Sequence, residues 1–365
     1  MPVRRVMMTA DTGGGVWSYA LELARGLAEH GVATLLATLG TSASAPQRQA
    51  AARVPGLTLE HGDFPLEWMD ETRAAQAAAG EWLLDLATRW EPDIVHLNHY
   101  GHGDLPWPAP SLVVAHSCVY SWHAHVHGTV APPRWGAYRE AVTRGLRHAR
   151  LVVAPTYAML ADIDRLYGPL PRRLVIHNGR RPEDYPPAPK RERVLSAGRL
   201  WDEGKNVAAL AQVAPRIDWP VAVAGETRHP DGSEADLAGV QWLGRLDEGE
   251  MAEAYAESGI YVLPARYEPF GLSVLEAAMA GCALVLGDIP SLRELWRDAA
   301  LFVPPGDSEA LAAALRRLTR DAPLRARSAQ RAQRRALRYT AARMTRRYLD
   351  AYAALMHREA VACAS

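Results

Sequence analysis

The sequence predicts an α/β protein built from two doubly wound domains, each with a parallel sheet between layers of helices. Three observations predict this fold class. Short runs rich in β-branched residues alternate with longer amphipathic segments along most of the chain. A charged stretch with four prolines, 179–194, interrupts that alternation and favours a linker. The chain has 365 residues, more than one ordinary hydrophobic core supports, so we expect two domains.

The first half alternates strands and helices from its start. The run VRRVMMT predicts a strand over 3–9, and VWSYALELARGLAEHG predicts an amphipathic helix over 16–31 that ends at Gly31. Further elements of the first half are strands over 32–39, 93–98, 111–116, 151–155 and 173–178, and helices over 71–90, 134–148 and 157–167. Strands separated by helices pair in parallel, so these elements predict one doubly wound sheet.

The alternation resumes after the linker. The second half has predicted strands over 193–198, 220–225, 240–244, 260–265, 283–288 and 300–304, helices from Asn206, over 247–257 and from Gly271, and a long Arg-rich helical tail. We assign 1–184 to a first domain, 185–340 to a second and 341–365 to a C-terminal helix. Ligands of such folds bind at the carboxyl ends of the strands, so we expect a site in a cleft between two sheets.

Composition excludes several classes of protein. Lys plus Arg and Asp plus Glu balance at 41 each, which does not favour nucleic acid as a partner. Cys118, Cys282 and Cys363 have neither paired nor metal-ligand spacing, so we expect reduced thiols. No signal-peptide layout follows Met1, and no apolar run approaches the roughly 18 residues of a membrane span. We therefore expect a cytoplasmic protein.

Charge is nevertheless uneven along the chain. Twelve arginines and one acid, Asp321, lie between Arg316 and Arg347. A solvated helical face is the simpler interpretation. The alternative is a peripheral contact with an anionic membrane, at the inner face, or with an acidic partner.

Two glutamates stand out in the segment RYEPFGLSVLEAAMAGC, 266–282. Glu268 falls in a predicted strand-to-helix loop, and Glu276 lies five residues after Gly271, about 7.5 Å along the helix axis. The first free N–H groups of this helix suit an anion, and a carboxylate can accept two hydrogen bonds from a vicinal diol. The spacing suits a ligand with sugar, phosphate and sugar in series. The alternative is a solvated Glu268 and an ordinary surface Glu276.

The segment EPFGLSVLE resembles the E-x7-E signature of the retaining family 4 glycosyltransferases, which have the GT-B fold. The resemblance spans nearly the whole chain, through the segments TGGGVWSYALELARGLAEHGV, PDIVHLN, VVAHS, VIHNG, SAGRLWDEGKN and LPARYEPFGLSVLEAAMAG. It implies that Glu268 meets hydroxyls of the donor sugar and Glu276 the nucleotide ribose. It also implies that the C-terminal helix returns to the first domain.

The second domain is expected to hold the donor, a nucleoside diphosphate sugar of the UDP type, without a cofactor. Arg199 and Lys205 follow a predicted strand and offer two cations to the diphosphate, a pair that replaces a metal ion in the resembling family. Their spacing is one residue longer than is usual there. The remaining donor-binding residues implied by the resemblance are Phe270, Gly271, Leu272 and Ser273 at the helix start, and Arg245 and Leu246 in the turn near the nucleobase.

The loop TADTGGGVWS near the start brings backbone close to a ligand through Gly13, Gly14 and Gly15. A dinucleotide fingerprint fails, because Ser18 stands where the third glycine belongs and the second strand ends without an acid. A nicotinamide cofactor is therefore not expected. The resemblance places the three glycines near the donor phosphates and the acceptor, and a simple tight turn is the alternative.

Histidines and aromatic residues supply the remaining candidates of the first domain. His116 ends the strand SLVVAH, and the resemblance implies that it positions the donor sugar. The expected acceptor-lining residues are His96, Asn98, Tyr120 and Trp122. For each aromatic residue, burial in the core is the alternative. The alternating His123, His125 and His127 are interpreted as part of a polar loop rather than a metal site.

These observations predict a glycosyltransferase that moves a sugar from a nucleoside diphosphate donor to a hydroxyl acceptor, with retained configuration and without a metal ion. Two alternatives remain: a nucleotide-sugar epimerase or phosphorylase-like enzyme of the same fold, and a non-catalytic protein that binds sugar nucleotides. The residues do not identify the sugar, the acceptor or the oligomeric state.

Overall fold

The computed structural model describes residues 2–69, 73–228, 232 and 234–362. The chain forms two compact units. The first contains 1–124, 129–178 and 341–365, and the second contains 125–128 and 179–340. The chain thus passes into the second unit at Gly179, whereas the sequence placed this boundary after residue 184.

The first unit is built on a sheet in which every pair of neighbouring strands is parallel. Its strands are β1 (Arg5–Asp11), β2 (Ala33–Leu39), β3 (Leu57–His61), β4 (Ile94–Leu97), β5 (Ser111–Val114), β6 (Leu151–Ala154) and β7 (Arg173–Val175). The helices of this half of the chain are α1 (Gly15–Glu29), α2 (Ala45–Ala52), α3 (Arg73–Trp90), α4 (Val119–Val126), α5 (Gly136–His148) and α6 (Tyr157–Tyr167). The spatial order β3-β2-β1-β4-β5-β6-β7 reverses direction between β1 and β4.

The second unit repeats the architecture with a second parallel sheet. Its strands are β8 (Arg191–Ala197), β9 (Val221–Ala224), β10 (Gln241–Trp242), β11 (Ser258–Leu263), β12 (Ala283–Gly287) and β13 (Leu301–Val303). Its helices are α7 (Val207–Val213), α8 (Glu248–Glu257), α9 (Leu272–Met279), α10 (Pro290–Trp296), α11 (Ser308–Arg320) and α12 (Ala322–Ala336). The order β10-β9-β8-β11-β12-β13 reverses between β8 and β11.

Both faces of the second sheet are buried, because each strand sends alternate side chains to opposite layers. Val194 of β8 packs into one hydrophobic cluster and its neighbour Leu195 into another. In β12, Leu284 and Val285 divide in the same way. Strands covered on both faces read as continuous apolar runs, which explains why these segments were recognisable in the sequence.

The last helix, α13 (Ala341–Ala362), belongs to the first unit and packs against α1. The two helices approach so closely at Gly26 that a Cβ built there would lie 2.0 Å from Oγ1 of Thr345. Tyr348 and Tyr352 of α13 are fully buried beside Tyr19 and His96. The core of the first unit therefore includes residues from both ends of the chain.

Several sequence-based predictions need correction. Helix α4 forms at Val119–Val126, where no helix was predicted. Strand β8 begins at Arg191, inside the predicted linker, and the Arg-rich tail comprises α11, α12 and α13 rather than one helix. The elements α2, β3 and α10 were not predicted.

Some expectations reach beyond the described residues. Positions 71 and 72 of the predicted helix 71–90 lie outside them, as does Cys363. Cys118 and Cys282 are buried free thiols. Of the helices in the described part of the chain, none has the length and apolar character needed to cross a membrane.

Candidate active site

The candidate donor site of the second unit lies where the order of its strands reverses. The loops after β8 and β11 meet there, because the backbone N–H groups of Arg266 and Tyr267 both donate to the carbonyl of Gly204, over 2.9 and 3.2 Å. Nδ2 of Asn206 also donates to the carbonyl of Pro264 over 2.9 Å. In doubly wound folds such a reversal is the usual place for a ligand.

An ion pair joins the two loops through their predicted site residues. Nζ of Lys205 donates to Oε2 of Glu268, and the two side chains are 18% and 10% exposed. The hydroxyl of Ser291 donates to the backbone carbonyl of Glu268, and the N–H of Phe270 lies 3.4 Å from Oε1. The backbone of Glu268 is therefore held by Ser291 and its carboxylate by Lys205. The spacing between Arg199 and Lys205, one residue longer than is usual in the resembling family, does not keep the Lys205 ammonium group from Glu268.

Arg199, the other predicted cation, is bound differently. Its Nη2 donates to Oδ2 of Asp202 over 3.1 Å, and its guanidinium lies 5.2 Å from the ring centre of Trp201. The side chain is 45% exposed, whereas Asp202 is buried. Asp202 also accepts from the N–H of Gly204 over 2.9 Å, so the loop positions Arg199 through a fixed carboxylate.

The N-terminus of α9 carries no side-chain cap. Gly271 occupies the capping position with φ 86° and ψ 69°, and the half-buried Leu272 and Ser273 begin the helix. The hydroxyl of Tyr261 donates to Oγ of Ser273 over 2.8 Å, which fixes that side chain. Because the first N–H groups of a helix have no partner within it, this end of α9 suits an anion.

Glu276 has a partner that sequence reasoning missed. Nε of Arg180 donates to Oε1 of Glu276 over 2.7 Å, and the two side chains are only 8% and 12% exposed. Arg180 lies in the proline-rich stretch that the sequence presented as a linker. The only signal that could have pointed to Arg180 is the general need of a buried carboxylate for a nearby cation.

The turn proposed for the nucleobase lies between β10 and α8. Arg245 is exposed and Leu246 packs against the core. Gly244 precedes them with φ 82°, and its carbonyl accepts from the N–H of Gly225 over 2.9 Å. This turn follows β9 and β10, next to the loop after β8.

In the first unit, the loop Gly13–Gly15 follows β1, beside β4 where the strand order reverses. Gly14 has φ 129° and caps α1 without a side chain, and a Cβ built there would meet nothing within 4 Å. All three glycines are exposed. The N–H of Gly13 donates to Oδ1 of Asp11 over 3.0 Å, so Gly14 and Gly15 present the exposed backbone at the uncapped start of α1, where an anion could bind.

Asn98 fixes the orientation of two histidines. Its Nδ2 donates to the carbonyl of Thr9 over 2.7 Å, so its Oδ1 is left as an acceptor. This oxygen lies 2.8 Å from Nε2 of His116 and 3.2 Å from Nε2 of His96. The shorter contact places the proton of the neutral His116 ring on Nε2, whereas Nε2 of His96 also lies 3.2 Å from the hydroxyl of Tyr19. Nδ1 of His116 is consequently an acceptor, which suits a ligand hydroxyl.

The two histidines have different surroundings. His96 is fully buried, and its Nδ1 lies 2.7 Å from the hydroxyl of Tyr352. His116 is only half-buried and stacks edge-on against Tyr19. Burial lowers the pKa of His96 and of His116 to about 3. In this structure His96 and Asn98 therefore support His116, and an acceptor does not reach the His96 ring.

The aromatic candidates divide between core and surface. Tyr120 is 6% exposed and packs in the core of the first unit, whereas Trp122 is half-buried and contacts His123 edge to face. His123 and His125 lie on α4, so the expectation of a polar loop is wrong for them. Within the described ranges, no group of three or more His, Cys, Asp or Glu side chains is arranged to hold a metal ion.

The uncapped start of α9, with a carboxylate on either side and a cation beside the first, suits a sugar nucleotide. On two doubly wound units, this arrangement defines a glycosyltransferase with the GT-B fold. Sequence models of known families agree. The model described as Glycosyltransferase Family 4 matches residues 13–184, and that described as Glycosyl transferases group 1 matches 180–335. Together they span most of the chain, which belongs to the family 4 glycosyltransferases.

Individual relatives resemble the chain over most of its length, and the solved structures share its fold. Glycogen synthase of Mycobacterium tuberculosis is 29% identical over 300 residues, covering 74% of this chain and 71% of its own. Sucrose-phosphate synthase from Thermosynechococcus elongatus superimposes with a TM-score of 0.79 at 18% identity, over 96% of this chain and 100% of its own. The Anabaena protein HepE, in complex with UDP and glucose, gives a TM-score of 0.76 at 16% identity, over 96% and 100%.

Proposed function

We propose that the protein transfers a sugar from a UDP-type donor to a hydroxyl acceptor, with retained anomeric configuration and without a metal ion. The observation that carries this proposal is the ion pair between Lys205 and Glu268 beside the uncapped start of α9. A glycogen synthase among the relatives and UDP with glucose in HepE support a glucosyl or similar donor.

The second unit would bind the donor. The free N–H groups of α9 and the cations of Lys205 and Arg199 would stabilise the diphosphate as its negative charge grows during bond cleavage. Glu268 would accept hydrogen bonds from the sugar, and Glu276 from the ribose. Lys205 already neutralises Glu268, so the carboxylate adds little repulsion to the approaching diphosphate.

The first unit would bind the acceptor and position the sugar. Nδ1 of His116 would accept a hydrogen bond from a hydroxyl of the donor sugar, because Asn98 holds the ring in the required tautomer. The exposed backbone of Gly13–Gly15 would approach the donor phosphates or the acceptor. For a front-face path with retention, the departing phosphate would take the proton of the acceptor hydroxyl.

Substitution of Glu268 by Gln tests this assignment. We expect Glu268→Gln to lower the turnover of UDP-glucose roughly a hundredfold, about 3 kcal/mol, as when one preorganised stabiliser is lost. The exposed Glu253 of α8 provides the matched control, and Glu253→Gln should retain full activity. Turnover is measured as UDP released together with a new glycoside, in buffer containing EDTA.

Three results would contradict the proposal. The first is a Glu268→Gln variant within a few-fold of the parent. The second is a product that is an epimerised nucleotide sugar or a sugar phosphate, which would indicate the alternative enzymes of the same fold. The third is binding of donor without turnover across a broad acceptor panel. Inversion of configuration would refute retention, and complete inhibition by EDTA would refute metal independence.

We also propose a peripheral contact with anionic membranes through α12. Arg327, Arg331 and Arg334 are exposed and fall on one side of this helix at a spacing of three to four residues. Each basic residue near an anionic surface contributes about 1 kcal/mol. Replacing all three by Gln should abolish co-sedimentation with phosphatidylglycerol vesicles, whereas three exposed arginines elsewhere, at 53, 147 and 172, should be dispensable. Equal sedimentation of both triple variants would refute this contact.

A further inference from the structure

Arg180 and Glu276 form an ion pair within the second unit. Their side chains are only 8% and 12% exposed. Arg180 stands at the point where the chain enters this unit. Its backbone N–H donates to the carbonyl of Tyr339 over 3.2 Å, and Arg180 forms a parallel bridge with Thr340. Tyr339 is itself fixed by ring contacts with Phe270 and Trp296.

The backbone of Arg180 is therefore held by a rigid part of the core, and its side chain has little freedom. At 8% exposure the guanidinium is not a surface group that could turn towards a ligand. Its Nε donates over 2.7 Å to one oxygen of Glu276, a short charge-assisted bond. The geometry makes Arg180 a support for Glu276 rather than a contact for the donor.

A second protein group lies near the same carboxylate. The Tyr255 ring is buried, and burial followed by the negative charge of Glu276 raises the pKa of Tyr255 well above its usual range. An ionised carboxylate has about four lone-pair positions. Arg180 occupies one of them at Oε1, which leaves capacity for the two hydroxyls of a vicinal diol.

We propose that Arg180 is a positioning residue that holds the Glu276 carboxylate aimed at the ribose of the donor nucleotide. This proposal rests on the proposed function. Without the guanidinium, a carboxylate at 12% exposure would bear the full cost of desolvation and would compete for the helix start with the diphosphate. With it, the carboxylate is neutralised internally and can accept from the 2′- and 3′-hydroxyls.

The test compares ribonucleotides with their 2′-deoxy counterparts. Binding of UDP, dUDP, ADP, dADP, GDP and dGDP is measured by calorimetry on the parent protein and on Arg180→Gln. The parent should bind its preferred ribonucleotide about tenfold more tightly than the deoxy form, as expected for one hydrogen bond to a charged group. Arg180→Gln should lose most of that preference by weakening the ribonucleotide while leaving the deoxynucleotide within about threefold.

Three further variants separate positioning from a loss of folding. Arg193→Gln removes another largely buried guanidinium of this unit, 3.6 Å from Glu257, and should keep the ribose preference. Arg180→Lys should restore part of the preference. If Arg180→Gln does not fold, the double variant with Glu276→Gln removes the unpaired charge and should bind both nucleotides equally.

The outcomes are distinguishable from failure of the proposed function. A parent protein that binds none of the six nucleotides would refute the donor site itself. A parent that binds them without preferring ribose would overturn the ribose contact of Glu276 and with it the role of Arg180. An Arg180→Gln variant that keeps the full preference would overturn the role of Arg180 alone. A preference lost equally in Arg193→Gln would show a general effect of stability and would also overturn it.

Discussion

Gly271, at the start of α9, allows the link between backbone geometry and donor binding to be tested. With φ 86° it lies in the left-handed region, and a Cβ built on it would lie 3.1 Å from Cγ2 of Val274 and 3.4 Å from Cγ of Glu268. Gly271→Ala should therefore strain the backbone between Glu268 and α9 and crowd the buried Val274. Gly281 provides the matched control, because it follows the other end of α9 with φ 84° and its Cβ would meet nothing closer than 3.6 Å.

The magnitude follows from these contacts. An L-residue in the left-handed conformation costs about 1–2 kcal/mol, and the stiffer unfolded chain of an alanine variant offsets about 0.4–1 kcal/mol. Each substitution should thus destabilise the protein by about 1 kcal/mol, or roughly 2–4 °C in melting temperature for a unit of this size. Only Gly271→Ala adds the 3.1 Å contact with Val274 and strains the helix start proposed for the diphosphate, so it alone should weaken UDP-glucose binding, by about tenfold.

Differential scanning fluorimetry and calorimetric titration with UDP-glucose measure the two effects independently. We expect similar melting temperatures for the two alanine variants, with Gly271→Ala slightly lower, and a loss of affinity in that variant only. Equal affinity in both variants, or a loss in Gly281→Ala as large as in Gly271→Ala, would refute the reasoning that the start of α9 shapes the donor site.

Two further predictions concern charge. The chain has two lysines, and their substitutions should have different effects. Lys205→Gln should weaken UDP binding measured by calorimetry, and unchanged affinity would contradict the proposed site. Lys190→Gln loses hydrogen bonds to three backbone carbonyls, so it should lower the melting temperature measured by fluorimetry and keep UDP affinity. Between pH 6.5 and 4.5 stability should fall by at least roughly 1.4 kcal/mol per pH unit in urea titrations. The unfolded chain protonates the histidines at 96, 99, 102 and 116, whose folded pKa burial lowers, to about 3 for His96 and His116, while Glu67, whose pKa burial raises to about 7, loses one proton on unfolding; a flat profile would refute this.

The fold could be predicted because its signals are local. Runs such as ALVLG, 283–287, are apolar on both faces, and only a strand between two layers of helices requires this. The helix 157–167 was predicted with its observed bounds, since Thr156 caps it and Gly168 ends it. By contrast, α4 consists of the aromatic and histidine-rich run VYSWHAHV. The helix propensity of this run is weak, so tertiary packing decides its conformation.

The candidate site could be predicted only where its residues follow strands in a recognisable segment. Lys205 and Glu268 are 63 residues apart, yet each lies in a loop that follows a strand. The two strands, β8 and β11, are neighbours in the sheet and bring the two residues together. Arg180 is 96 residues from Glu276 and precedes the first strand of its unit, so no periodicity connects them. The role of Asn98 in fixing the tautomer of His116 was also missed. It depends on the hydrogen bond from Asn98 to the carbonyl of Thr9, a contact across 89 residues.

The packing of α13 against α1 has a consequence for biosynthesis. Tyr352 lies 256 residues after His96 in the chain, so the rings of Tyr19 and His96 are synthesised well before the tyrosines at 348 and 352 that cover them. Until these tyrosines are synthesised, the nascent first unit exposes an aromatic patch and the imidazole of His96 lacks one hydrogen-bond partner. Most of the second unit, 179–340, precedes them in the chain and can fold earlier, so a nascent chain is expected to form its second unit before its first unit is finished.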